Sequence, residues 1–356
     1  MVDVEIKALE LRKISLFAAK TAFILISLLI VVIYSTFIGP VSIPAGNIIH
    51  IYLRQVPFLG AYFPEGFTTT QYSIVVFVRE PEIIGAVIVG AALAVGGSTV
   101  QSVFRNPITE PYIIGVSSGA TLGAVIALST GTQIFGAYSI QFFAFIFALI
   151  VVFGVYFMSF RTGRVPPIYL LLSGIAVSLF ISAIIGLLLF SNLKLQNETF
   201  SWLLGSLSGI TWPELYLVTL VVIISSALLS SIWRRLDALQ MGEPHARSIG
   251  VNVERTKLIA LLLTTVGVSA AVSISGLIGF VGLVIPHLAR MVFGGSNRKV
   301  IPMSAFLGGI FLLLSDDIAR TLVHNEVLPV GIITGLIGVP FFMYMLSRIS
   351  RGNYVS

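Results

Sequence analysis

Few side chains in this 356-residue chain could do chemistry. Gly115-Val116-Ser117-Ser118-Gly119 fits the G-x-S-x-G pattern, in which a sharp strand-to-helix turn presents a serine nucleophile to a histidine base. Here the same residues open an apolar stretch. Gly115, Gly119 and Gly123 recur four apart in it, a spacing that serves close helix packing in lipid. A base for Ser117 would have to be His50, His245, His287 or His324, which lie at scattered depths. An intramembrane serine hydrolase, rhomboid-like in kind, is one alternative reading. Asp316-Asp317 is an acidic pair inside another apolar stretch, and intramembrane acids commonly mark proton or ion sites. An ion-coupled secondary transporter is therefore a second alternative, although Arg320 nearby offers the pair an ordinary interfacial partner. The histidines and acids lack metal-ligand spacing, and G-x-x-x-x-G-K-[ST] is absent. No catalytic residue, metal or cofactor is expected in this chain. If ATP powers its work, a partner subunit binds the ATP and Mg.

The most polar stretch is 234–257, with Arg234, Arg235, Asp237, Glu243, His245, Arg247, Glu254, Arg255 and Lys257. Gly242 stops the helix that Leu236–Met241 begins. Glu243 and Pro244 suit a new helix start, because an acid favours the positive end of the dipole and proline fits the first turn. Gly250 suits its end. Two short helices with a glycine hinge, held in water against a membrane body, read as a docking element for a cytoplasmic partner.

The elements around these residues must sit in lipid. The chain is 56% hydrophobic and 10% charged, with mean hydropathy +1.02. Repeated apolar runs of about 20 residues mark a polytopic helical membrane protein, multi-pass in the cell membrane. A membrane β-barrel would show short alternating segments instead. The net charge of +6 could signal nucleic acid or basic interior loops. The charges sit at span ends rather than in one run, which favours the loops. With no cysteine there is no disulfide framework. Lys7, Arg12, Lys13 and Lys20 precede an apolar core too long for a signal peptide, so this is read as a retained first span.

Spans are expected at about 14–38, 82–104, 112–129, 138–160, 167–190, 213–233, 257–276, 280–294, 301–322 and 329–347. Asn47–Val56 suggests a short surface helix, and 191–212 a mixed connector with Trp202 and Trp212. The run 258–293 would measure about 54 Å as one helix, against a hydrocarbon core of about 30 Å. Gly276, Gly279 and Gly282 offer a turn inside it. Charge supports the division. With ten spans and a cytoplasmic N-terminus, only Arg54, Arg79, Lys194 and Arg320 of the 21 lysines and arginines fall outside. The expectation is an all-α protein, a single domain over 1–356 with both termini cytoplasmic. Two proline-bounded turns, Arg105–Pro111 and Pro166-Pro167, then lie on the cytoplasmic side. The first could form a constriction beneath a pore.

Taken together, these blocks resemble the FecCD/BtuC family of ABC-importer permeases. The resemblance is carried by Val89–Ala94, the Arg105–Pro107 turn with Pro111, Gly115–Ala120, Trp202–Gly209, Ala246–Val251, Gly279–Arg290, Leu328–Gly331 and Gly338–Phe341, in order from about residue 14 to 348. It implies a permease subunit of a type II importer, with a BtuC-like fold of ten helices, working as a homodimer in membrane lipid and not on nucleic acid. Two ATPase subunits would dock inside and an extracytoplasmic substrate-binding protein outside. The cargo would be an iron chelate (siderophore or haem), cobalamin or, in some relatives, an oxyanion. The segment 236–251, with Gly242, Glu243, Ala246, Arg247, Ser248 and Gly250, would couple to the ATPase. Asn106, Pro107, Pro166, Pro167 and Ile168 would belong to a cytoplasmic gate, although Pro-Pro-Ile departs from the small hydroxyl residues of some relatives. Arg79, Glu82 and Arg320 would face the binding protein. There the family's Arg-Leu-Pro-Arg is Arg79-Glu80-Pro81-Glu82 in this chain, an acid in place of the second arginine.

Overall fold

The computed structural model describes residues 2–56, 66–131, 134–190, 193–323 and 326–350. Fifteen α-helices run through them: α1 Val2–Phe37, α2 Ala45–Gln55, α3 Thr69–Ser73, α4 Glu80–Phe104, α5 Val116–Thr130, α6 Ser139–Met158, α7 Pro167–Phe190, α8 Leu193–Leu203, α9 Trp212–Ser231, α10 Trp233–Gln240, α11 Glu243–Ser248, α12 Val253–Ser275, α13 Val281–Phe293, α14 Asn297–Thr321 and α15 Val330–Ser350. The only β pairing among the described residues is an isolated bridge between Arg161 and Arg164. Among the described residues seven helical segments are long and apolar enough to cross a membrane; α5, α13 and α15 are shorter apolar helices.

Helix α4 is the centre of the bundle. In the continuous Thr69–Phe104 segment that contains it, 78% of the most apolar window is buried, against 6% for Ser15–Phe37 of α1, which lies at the periphery. α14, α12, α13 and α9 pack around it. The α4–α14 crossing depends on absent side chains, since a Cβ on Gly90 would come within 2.2 Å of the Gly308 carbonyl oxygen. Close backbone approach of this kind is how apolar helices gain contact in lipid.

The helix leading into α4 starts earlier than hydropathy suggests. Thr68 and Gln71 form a capping box that opens α3, and a π-helical turn over Ile74–Arg79 joins α3 to α4. Pro81 has no N–H and its ring crowds the carbonyl four residues back. The wider π turn accommodates it without breaking the helix. The 258–293 run is divided at Gly276–Phe280, where Gly276 and Phe280 both adopt positive φ. The 191–212 connector holds α8, a helix its polar composition did not announce.

Candidate functional site

The site is built at the end of the bundle where α4 terminates. α10 lies beneath it, its Leu236 and Leu239 buried and Gln240 donating to Ser102 Oγ at 2.8 Å. Ser102 in turn donates to Asn297 Oδ1 at 2.9 Å. Asp237 accepts from Ser296 Oγ at 2.8 Å and from the Asn297 N–H at 2.7 Å. An acid thus caps the positive end of α14 and ties α10 to it. Arg290 of α13 closes the network by donating to Gln101 Oε1 and to the Ser98 carbonyl.

The chain then turns at Gly242, whose φ of 120° favours glycine. α11 follows, with Pro244 in its first turn and Gly250 at φ 83° beyond its end. Its exposed side carries His245, Arg247, Ser248 and Ile249, with Met241 ahead of it. Ala246 points the other way. It is 0% exposed and belongs to the core, so its small size serves the seat of α11 within this chain. Glu243 and Arg247 meet the first turns of α12. Lys257 Nζ lies 2.6 Å from Glu243 Oε1, and Arg247 Nη2 lies 2.9 Å from Glu254 Oε1.

Of the two expected gate turns, the first lies against this element and the second is tied to the α12 residues that pair with it. In the first, Arg105 adopts a left-handed conformation, and Asn106 accepts from the Ile108 N–H at 3.0 Å in an Asx turn. Pro107 follows it, exposed. The Arg105 guanidinium lies 3.7 Å from where a Cβ on Gly242 would stand. In the second, Thr162 and Gly163 turn the chain and Val165 leads into Pro166 and Pro167, which open α7. Val165 is held by side chains of α12. Its N–H donates to Glu254 Oε2 at 2.9 Å, and its carbonyl accepts from Lys257 Nζ at 2.8 Å. Ile168, one residue on, is exposed. Sequence reasoning named Glu254 and Lys257 only among the charges of 234–257, and did not single out Val165. The Glu-x-x-Lys spacing was the available signal, but it cannot say that Lys257 is buried.

At the opposite end of the bundle the structure departs from expectation. Arg79, Glu82 and Arg320, expected on an outer docking face, are all buried. Arg320 pairs with Asp316, lies 3.7 Å from Asp317 and 3.8 Å from Glu82. Asp317 also accepts from Ser35 Oγ of α1 at 2.6 Å. Arg79 donates to the Thr36 carbonyl at 3.0 Å and to that of Val41, where a cation meets the negative end of α1. These charges knit α1, α4 and α14 together. Asp316 and Asp317 are engaged in that network. Ser117 lies in the first turn of a helix that packs on α6, where a Cβ on Gly123 would sit 2.2 Å from the Phe143 carbonyl oxygen. That is the small-residue packing reading and not a nucleophile elbow. His50, His245 and His287 lie on α2, α11 and α13; His324 is outside the described residues. No group of three or more histidines and acids suited to a metal occurs among the described residues.

A bundle of long apolar helices with a polar two-helix element at one end defines a polytopic membrane protein. The FecCD transport family matches residues 27–348, and the chain belongs to that family of ABC-transporter permeases. It is 38% identical to the cobalamin import system permease protein BtuC of Halobacterium salinarum, over 86% of this chain and 85% of that protein. It is 40% identical to the hemin transport system permease protein HmuU of Yersinia pestis, over 76% and 82%. A solved structure described as a metal-chelate type ABC transporter in an inward-facing conformation superposes with TM-score 0.75 at 28% identity, covering 92% of this chain and 99% of that one. The chain is a multi-pass membrane protein of this transport class. Members of the family are permease subunits of ABC transporters.

Proposed function

We propose that this chain is the membrane subunit of an ATP-driven importer and forms, with a second copy of itself, the pathway for an iron chelate, haem or cobalamin handed over by a binding protein. The observation that carries this is the seating of α10–α11. The element is exposed on one side; on the other, Gly242 lies against Arg105 of the first turn, and Glu243 and Arg247 pair with the α12 side chains, Lys257 and Glu254, that hold Val165 of the second. The seven long apolar helices and the three shorter ones support ten spans, with both termini and α10–α11 in the cytoplasm. Two ATPase subunits would dock on Met241, His245, Arg247, Ser248 and Ile249, with Gly242, Glu243, Ala246 and Gly250 shaping the element. Asn106, Pro107, Pro166, Pro167 and Ile168 would form the inner gate. α7 exposes Ile168, Leu172, Ile175, Leu179 and Phe180, an apolar face suited to a partner copy and the pathway. Because Arg79, Glu82 and Arg320 are buried, we assign them to bracing the outer ends on which the binding protein would dock.

The relatives' names supply the candidate cargoes. One relative is named for cobalamin and another for hemin, and the molybdate import system permease protein MolB of Haemophilus influenzae is 34% identical over 80% of this chain and 83% of that protein. The test is uptake into proteoliposomes holding this permease with its ATPase and binding protein. Labelled cobalamin, hemin, an iron–siderophore chelate and molybdate would be offered in turn. ATP-dependent accumulation of one of the first three is expected. Accumulation of molybdate alone, or none with ATP, would overturn the reading.

A further inference from the structure

Three pieces of chain distant in sequence meet at Lys257. Its side chain is 2% exposed, so the ammonium has no water to fall back on and depends on protein acceptors. It finds two, Glu243 Oε1 on α11 at 2.6 Å and the Val165 carbonyl at 2.8 Å, with the Glu254 carboxylate a second counter-charge at 3.7 Å. Glu254 does the complementary work. One carboxylate oxygen takes the Val165 N–H at 2.9 Å and the other takes Arg247 of α11 at 2.9 Å. Both backbone groups of Val165 are therefore held by the same two side chains that hold the charged residues of α11.

What lies beyond Val165 gives this a mechanical consequence. Pro166 and Pro167 follow at once, each with a fixed φ, and α7 begins at Pro167. The Pro166 carbonyl accepts from the Tyr169 and Leu170 N–H groups at 3.1 and 3.2 Å, so the join to α7 has little slack. α7 in turn lies against the short 3-10 segment Pro111–Ile114 that follows the other turn: a Cβ on Gly174 would come 2.3 Å from the Ile113 carbonyl oxygen. A displacement of α11 has a stiff route into α7.

We propose that Lys257 and Glu254 form a strut that carries movement of the α11 docking element to the Val165–Pro167 turn and so to α7. They are positioning residues and need touch neither cargo nor nucleotide. This rests on the reading of the chain as an ATP-driven permease. The test uses the whole complex, permease and ATPase partner, in lipid nanodiscs. The chain has no cysteine, so Ile168→Cys takes a single spin label per copy, and pulsed dipolar spectroscopy measures the label distance across the dimer. In the otherwise native complex this distance should change when Mg-ATP is added; no change would overturn the ATP-driven reading and the strut with it. In Lys257→Met the nucleotide-free distance should be retained and the ATPase should still co-purify, but the response to Mg-ATP should be lost. Lys257→Arg should restore it in part. A full response in Lys257→Met overturns the strut while leaving the permease reading intact, and so does an altered nucleotide-free distance, the mark of a purely structural role. Should Lys257→Met fail to reach the membrane, Glu243→Gln decides. It removes only the charge at a partly exposed position and should reduce the response, and an undiminished response there overturns the proposal.

Discussion

Glu110 Oε1 accepts a hydrogen bond from the backbone N–H of Phe280 at 2.9 Å. The bond joins the segment between α4 and α5 to the one between α12 and α13. Phe280 caps α13 with φ 68°, a conformation that non-glycine residues adopt at a cost. The carboxylate therefore secures a strained residue and faces the positive end of a helix. Glu110→Ala would leave the half-buried Phe280 N–H without this partner, a loss of up to about 1–3 kcal/mol. Glu110→Gln keeps an acceptor and should cost less. Thermal unfolding of the purified permease in detergent should rank the parent above Glu110→Gln, and that above Glu110→Ala; equal midpoints would show that the bond carries no stability.

The ten-span topology gives a labelling prediction. Gly295, in the turn between α13 and α14, has open space where a side chain would stand, and Ser208, between α8 and α9, is exposed. Neighbouring Asn297 is a poor probe, because it is fully buried. Gly295→Cys should react with a membrane-impermeant thiol reagent only after cells are opened, and Ser208→Cys in intact cells. Reaction of both from the same side would reject ten spans with a cytoplasmic N-terminus.

Within the docking element, burial separates two kinds of variant. Ile249 is 56% exposed, and Ala246 has no exposed surface. Ile249→Glu should weaken co-purification of the ATPase about tenfold or more if Ile249 is a central contact, with the permease's melting temperature unchanged. Ala246→Arg forces a long charged chain into a filled space, where overpacking alone costs about 1–3 kcal/mol. It should lower the melting temperature before any partner is added. Loss of docking in Ala246→Arg with stability intact would instead mean that Ala246 meets the ATPase directly.

Local signals carried much of the architecture. An apolar run too long for the bilayer demanded the break that falls at Gly276–Phe280, and Gly242, Pro244 and Gly250 marked out α11 by backbone chemistry alone. α8 escaped because Lys194, Gln196, Asn197 and Glu198 give it no apolar length. The larger gap concerns charged side chains at helix ends. Arg320 and Lys257 occupy positions where an arginine or lysine ordinarily reaches water. Whether it does depends on neighbours brought in by folding: Glu82 and the α1 side chain of Ser35 around the Arg320 cluster, and Val165 and Glu243 around Lys257. Nothing at the positions themselves records those neighbours.

The Arg320 cluster therefore yields the prediction in which sequence position and structure diverge most. If Arg320 were a rim charge for the binding protein, its replacement would slow docking and leave the permease's own stability untouched. In the structure it is 1% exposed and is the shared counter-ion of Asp316, Asp317 and Glu82. Removing one partner of a buried ionic network strands the others, at a cost of about 3–5 kcal/mol. Arg320→Met should accordingly lower the melting temperature of the isolated permease sharply. Combining it with Asp316→Asn, which removes one of the stranded charges, should recover part of the loss. Arg79→Met should cost less. That guanidinium holds the Thr36 and Val41 carbonyls, which are neutral groups. An unchanged melting temperature in Arg320→Met, with slower binding-protein association at low salt, would return Arg320 to the docking surface.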